Sequence, residues 1–180
     1  MRSGRLLFSK LSFDLAPGDA AIVTGANGIG KSSLIRLAGG LLVPFEGSVT
    51  CATDKALLTE ASSLDIDRTL AAALRFWASL DRAPDPEARV ARALTALDLD
   101  ALADIPVRLL STGQRRRASI ARVASSEAPV WLLDEPANGL DAVSVTRLAT
   151  LIAHHRAGGG IALVATHLPL AMLDAQEIAL

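Results

Sequence analysis

Apolar residues fall into two regimes along this chain. Toward each end, short apolar runs stand between polar stretches: Ala20 to Val23, VWLLDEP at 130–136 and GIALVAT at 160–166. Runs so brief, bounded by glycine or charge and carrying β-branched residues, predict buried strands. The first leads straight into GANGIGKSS and then LIRLAGGLL, which predicts strand, glycine loop and a helix from about Lys31 to Gly39. From about Ile66 to Ser126 the strand signal vanishes. There DRTLAAALRFWASL sets Leu70, Leu74, Trp77 and Leu80 on one helical face, and PEARVARALTAL does the same with Val90, Leu94 and Leu97, with a turn over Asp81 to Pro86. A further helix opens at 111–114, with Ala118, Ile120, Ala121, Val123 and Ala124 as its inward positions. The pattern as a whole predicts an α/β fold built on a mostly parallel sheet.

Composition narrows this picture only a little. At 180 residues, 51% of them apolar, the chain predicts one globular domain over 1–180, with a core at 1–65 and 127–180 and a helical part at about 66–126. A net charge of -1 argues against a nucleic-acid surface. No apolar run reaches the ~18 residues of a spanning helix, and MRSGRLLFSKLSFD brings charge too early for a secretory leader, so the expectation is a chain that stays where it is made. Cys51 is the single cysteine, which excludes an internal disulfide and a cysteine-based zinc site. It reads as a small buried residue near a strand. Phe76 and Trp77 read either as core residues or as an exposed docking patch.

The chemistry lies at the strand ends. GANGIGKS fits G-x-x-x-x-G-K-S, in which Gly25, Gly28 and Gly30 let successive backbone N–H groups point at phosphate oxygens. Lys31 reaches the β and γ phosphates, Ser32 offers a hydroxyl to Mg²⁺, and the positive end of the following helix faces the anion. In a parallel sheet the run 130–134 delivers its acids to the same edge. Asp134 is then placed to hold Mg²⁺ and Glu135 to face an attacking water. The run 160–166 brings His167 to that edge, where an imidazole can donate to a γ-phosphate. His154 and His155, before a run of glycines, read as solvated cap residues. LSTGQ at 110–114 makes a second helix terminus suited to an anion, with Ser111 near the N-cap and Gly113 leaving N–H groups unobstructed. The arginines at 115, 116 and 117 read as a solvated helix face.

Taken in order, GANGIGKS, LSTGQ, VWLLDE, the NGLD turn at 138–141 and the Thr166–His167 pair resemble the motif set of ATP-binding cassette ATPases, with Thr112 where that family usually carries glycine. The resemblance covers most of the chain. It implies a P-loop fold with an N-terminal antiparallel β portion, here partly missing, and an inserted helical subdomain. It implies ATP and Mg²⁺ as ligands, the nucleotide held by Gly25, Ala26, Asn27, Gly28, Ile29, Gly30, Lys31, Ser32 and Ser33. Ser32 and Asp134 then serve the metal, and Lys31, Glu135 and His167 the hydrolysis. A head-to-tail dimer is also implied, in which Ser111, Gly113 and Gln114 of one copy close over the nucleotide of the other and Asp141 links the two sites.

Within that family, LFSKLSFDLAPGD, DIPVRLLSTGQRRR and GGGIALVATHLPLAM look like the ATPases of bacterial cytochrome c maturation. That likeness implies membrane-spanning partners of the CcmB and CcmC kind, a place on the cytoplasmic face of the inner membrane, and ATP rather than haem as the bound ligand. An ATPase for another substrate, and a nucleotide-binding regulator with little hydrolysis, are the alternatives. Two departures bear on them. The family's glutamine between phosphate loop and helical subdomain has no counterpart in KALLTEASSLDID, where Glu60 or Ala61 falls nearest. The family's first strand and the aromatic that stacks on adenine have none before Leu6; either the start is misassigned, or adenine is held without stacking and ATP binds weakly.

Overall fold

The computed structural model describes residues 6–51, 53–59, 64–81 and 83–180. Its strands are β1 (Ala20–Thr24), β2 (Lys55–Leu58), β3 (Val130–Asp134), β4 (Ile161–Ala165) and β5 (Gln176–Ala179). They form one sheet in the order β2-β3-β4-β1-β5, and every pairing is parallel. The helices are α1 (Lys31–Ala38), α2 (Leu70–Ala78), α3 (Pro86–Ala96), α4 (Thr112–Ala124) and α5 (Ala142–Ala157).

Side chains alternate across the strands, and helices cover both faces. Val130 and Leu132 of β3 pack with Ala21, Val23, Leu34 and Ile35 on the α1 side. Trp131 and Leu133 join Ile120, Ala121, Leu148 and Ile152 on the α4 and α5 side. Every residue of β3 is therefore buried, which explains its uninterrupted apolar run. None of the described helices is long and apolar enough to cross a membrane.

The antiparallel portion expected at the N-terminus is not formed by the described residues. Leu11, Phe13 and Leu15 alternate like a strand and pack against the α1-side core, yet their backbone has no ladder partner among the described residues. The following stretch 43–49 contains Pro44 and Gly47 and leaves Val43 90% and Phe45 72% exposed. Two other expectations are corrected. Helix α2 stops at Ala78, so Leu80 turns outward while Leu70 and Leu74 are fully buried. Cys51 is exposed rather than buried.

Arginines tie the helical part together. Arg89, 3% exposed, grips both carboxylate oxygens of Asp81 at 2.8 and 2.9 Å and donates to the carbonyls of Ser125 (2.7 Å) and Ala78 (2.6 Å). The ends of α2 and α4 are thus held to α3. Arg122 donates to the Leu57 carbonyl and lies 4.9 Å from the centre of the Trp77 ring. His154 is exposed as expected, but His155 is not a solvated cap: it stacks on Trp131 at 3.9 Å and 9°. A Cβ at Gly160 would overlap its ring.

Candidate active site

The phosphate loop links β1 to α1 and has the backbone its glycines predict. Gly25, Gly28 and Gly30 have φ of +140°, +79° and +132°, values that L side chains rarely adopt. Space is also tight at two of them: a Cβ on Gly25 would stand 3.0 Å from the Leu180 carbonyl oxygen, and one on Gly30 3.1 Å from the Phe8 ring. Ala26, Asn27 and Gly28 are exposed at the tip of the loop, while Lys31 and Ser33 are buried at its base and Ser32 half-buried. The Lys31 ammonium donates to the Gly25 carbonyl at 2.8 Å and the Ala26 carbonyl at 3.4 Å. It also lies 3.6 Å from Oε1 of Glu135.

The parallel register brings the other groups to this edge. Asp134 ends β3 and is 5% exposed; Ser32 donates to its Oδ1 at 2.9 Å. Burial pushes the Asp134 carboxyl above its ordinary range, the Ser32 hydroxyl opposes this, and the adjacent Glu135 charge adds to it. Glu135 follows with φ +48°, a left-handed conformation for a residue with a side chain. Its amide donates to the Ala165 carbonyl at 2.7 Å, and its Oε2 meets Nδ1 of His167 at 2.8 Å. The His167 amide donates to the same oxygen at 3.2 Å. Lys31, Ser32, Asp134, Glu135 and His167 thus form one connected cluster. A cavity of ≈ 450 Å³ opens beside it, lined by Gly25, Thr24, His167 and Glu177 among others.

The second predicted anion site is built separately. Ser111 caps α4 by accepting from the Gln114 amide at 3.2 Å, while the Gln114 side chain accepts from the Ser111 amide at 2.8 Å. This reciprocal pair is a capping box. Among the described residues no hydrogen bond joins 111–114 to the phosphate loop. Gly113 lies against the turn after β3, where a Cβ would stand 3.3 Å from the Gly139 carbonyl oxygen. Asp141, in that turn, caps α5 by accepting from the Ser144 amide at 2.7 Å, and these bonds hold its carboxyl below the usual range. Glu60 and Ala61 lie outside the described residues.

The arginine triplet is not a solvated face. Arg115 donates to the Leu110 carbonyl, Arg117 to those of Leu97 and Asp98, and Arg116 to those of Thr59, Asp134, Glu135 and Pro136. Three neighbouring residues of a helix span most of its circumference, so they cannot share one outward side. A periodicity signal was present: Arg116 precedes the buried Ile120 and Val123 by four and seven positions, on their stripe.

A strand-anchored phosphate loop with a lysine, a serine–aspartate pair and a strand-terminal glutamate on the same edge defines a P-loop nucleotide hydrolase. The chain belongs to the ABC transporter family, whose model matches residues 8–138. It is similar to the "Cytochrome c biogenesis ATP-binding export protein CcmA" of Zymomonas mobilis, 50% identical over 180 residues, covering 100% of this chain and 80% of that one. The protein of the same name from Sphingopyxis alaskensis is 52% identical over 178 residues, covering 99% and 91%. Among solved structures, cbiO1 of Clostridium perfringens, part of the ABC transporter complex cbiONQ, aligns with TM-score 0.71 and 26% identity over 88% of this chain and 70% of that one. The protein is an ATP-binding, ATP-hydrolysing subunit of an ABC transporter.

Proposed function

We propose that the chain hydrolyses ATP with the cluster around Lys31 and that this turnover serves cytochrome c biogenesis, as the names of its similar relatives suggest. The observation that carries the catalytic reading is the Glu135 carboxylate. It lies between the Lys31 ammonium and the His167 imidazole and is 17% exposed. A carboxylate so placed can accept a proton from a water attacking a γ-phosphate, Lys31 counters the charge on the phosphate, and His167 donates to it. The loop from Gly25 to Ser33 supplies the backbone donors.

Mg²⁺ suits the pair Ser32 and Asp134, a hydroxyl and a buried carboxylate already in contact. No group of three or more acidic, histidine or cysteine side chains that could hold a metal exists among the described residues. Magnesium characteristically needs only one or two protein oxygens and takes the rest from phosphate and water. Bound there, it neutralises charge on the phosphates.

The helical part at 66–126 reads as an inserted subdomain of a single ATPase domain. Ser111, Gly113 and Gln114 are assigned to the γ-phosphate held by a second copy in a head-to-tail dimer, with Asp141 near the junction. Membrane subunits of the CcmB and CcmC kind, at the cytoplasmic face of the bacterial inner membrane, are the proposed partners in haem export or release of a haem-loaded carrier. Substituting Glu135→Gln tests the core of this reading. ATP binding persists, turnover falls by at least about a hundredfold, and a dimer accumulates on ATP; turnover at the wild-type rate refutes it.

A further inference from the structure

We propose that Arg116 is a positioning residue for Glu135, coupling the orientation of helix α4 to the direction of the hydrolytic carboxylate. The proposal rests on the reading of Glu135 given above. Arg116 is half-buried, and among the described residues its planar fork reaches the carbonyl oxygens of Thr59, Asp134, Glu135 and Pro136. Nη1 donates to Thr59 at 2.9 Å, Nη2 to Asp134 at 3.0 Å and to Glu135, and Nε to Pro136 at 3.2 Å. Three of these are consecutive in sequence. Consecutive carbonyls of an extended strand point to opposite sides, so they converge on one guanidinium only because the chain turns at Glu135.

That turn is the left-handed conformation at φ +48°. A non-glycine residue there is strained, by about 1 kcal/mol or more, and stays there only when its surroundings over-determine it. The guanidinium supplies much of that constraint, beside the Glu135 amide's bond to the Ala165 carbonyl and the Asn138 amide's bond to the Glu135 carbonyl. By fixing the peptide planes on both sides of Glu135, it fixes the Cα–Cβ bond that aims the carboxylate between Lys31 and His167. The Thr59 carbonyl, just beyond β2, adds a second strand end to the same clamp. Arg116 also sits two residues beyond Gln114 on the helix that Ser111 caps. A displacement of that helix therefore moves the donors that hold Glu135, whereas Arg115 and Arg117 donate elsewhere.

The test compares the full chain with its Arg116→Met, Arg116→Lys and Glu135→Gln forms, reading ATP turnover with Mg²⁺, nucleotide affinity and melting temperature. Methionine retains much of the apolar stem but donates nothing. We expect Arg116→Met to lose at least about tenfold in kcat while KM for ATP stays within about twofold, since a misaimed group costs rate rather than binding. Lysine, a point donor that reaches only part of the four-carbonyl set, restores an intermediate kcat with a melting temperature near wild type. Should the methionine form fail to fold, the lysine form alone decides: lowered kcat at constant KM supports the proposal, wild-type kcat overturns it. Unchanged kcat in Arg116→Met, or a KM that rises as much as kcat falls, also overturns it. Wild-type turnover in Glu135→Gln would instead remove the reading beneath the proposal, whatever the Arg116 forms show.

Discussion

Arg89→Met isolates the polar contribution of a buried arginine, because methionine fills much of the same volume. The side chain is 2% exposed, and its substitution leaves the Ser125 and Ala78 carbonyls without their 2.7 and 2.6 Å donors. Asp81 loses a bidentate partner, though its own side chain is 27% exposed and recovers some hydration. Each buried group left unpaired costs ~1–3 kcal/mol. Breaking a buried ion pair by removing one partner costs ~3–5 kcal/mol in total. At ~2–4 °C per kcal/mol for a domain of this size, the melting temperature should fall by about 10 °C. Urea unfolding followed by tryptophan fluorescence is a suitable assay, since of the only two tryptophans Trp131 is buried in the core on the α4 and α5 side and Trp77 packs against it. A loss below about 1 kcal/mol would refute the reasoning, because it lies under the cost of even one orphaned group.

Two further outcomes follow from named contacts. Burial holds the His155 imidazole below its ordinary value, so the unfolded chain takes up a proton at a pH where the native chain does not. The stabilising effect of keeping it neutral is complete above about pH 6.5, the unfolded value, and is lost as pH falls toward the lowered native value. Thermal melts from pH 7.5 downward should show this loss, and His155→Phe, which keeps the stack on Trp131, should flatten it; equal slopes would exclude the assignment. In the phosphate loop, Gly30→Ala should weaken ATP binding by at least about tenfold, from backbone strain of ~1–3 kcal/mol together with pressure on Phe8 and Leu7. Gly28→Ala, with nothing within 4 Å of the added methyl, should weaken it less; nucleotide titration of the two variants ranks them.

Much of the sheet edge was legible because its strands are buried on both faces and end in unusual chemistry. VWLLD could be nothing but a strand, and the glycine loop before Lys31 fixed where α1 begins. Strands β2 and β5 were not legible: with four residues each at the sheet margins, KALL and QEIA carry too little periodicity. The arginine roles were missed for a different reason. A guanidinium satisfied by main-chain oxygens has no sequence partner to find, since the acceptors belong to whichever residues the fold presents. Arg116 is therefore unreadable as chemistry, although the helical stripe it shares with Ile120 and Val123 carries the hint. His155, set before a run of glycines, reads as a solvated cap residue because nothing in the helix sequence announces the aromatic surface of β3 that lies beneath it.

The contact between Lys31 and Glu135 has a consequence for how a triphosphate enters. The two charges already neutralise one another, so an arriving phosphate does not meet a bare cation: it competes with an internal anion for the same ammonium. On the proposed binding of a triphosphate at Lys31, capture is an exchange of counter-ions that frees the Glu135 carboxylate from the ammonium 3.6 Å away. On that proposed reading affinity and reactivity share one electrostatic account, and strengthening the lysine's hold on its internal partner would weaken both together.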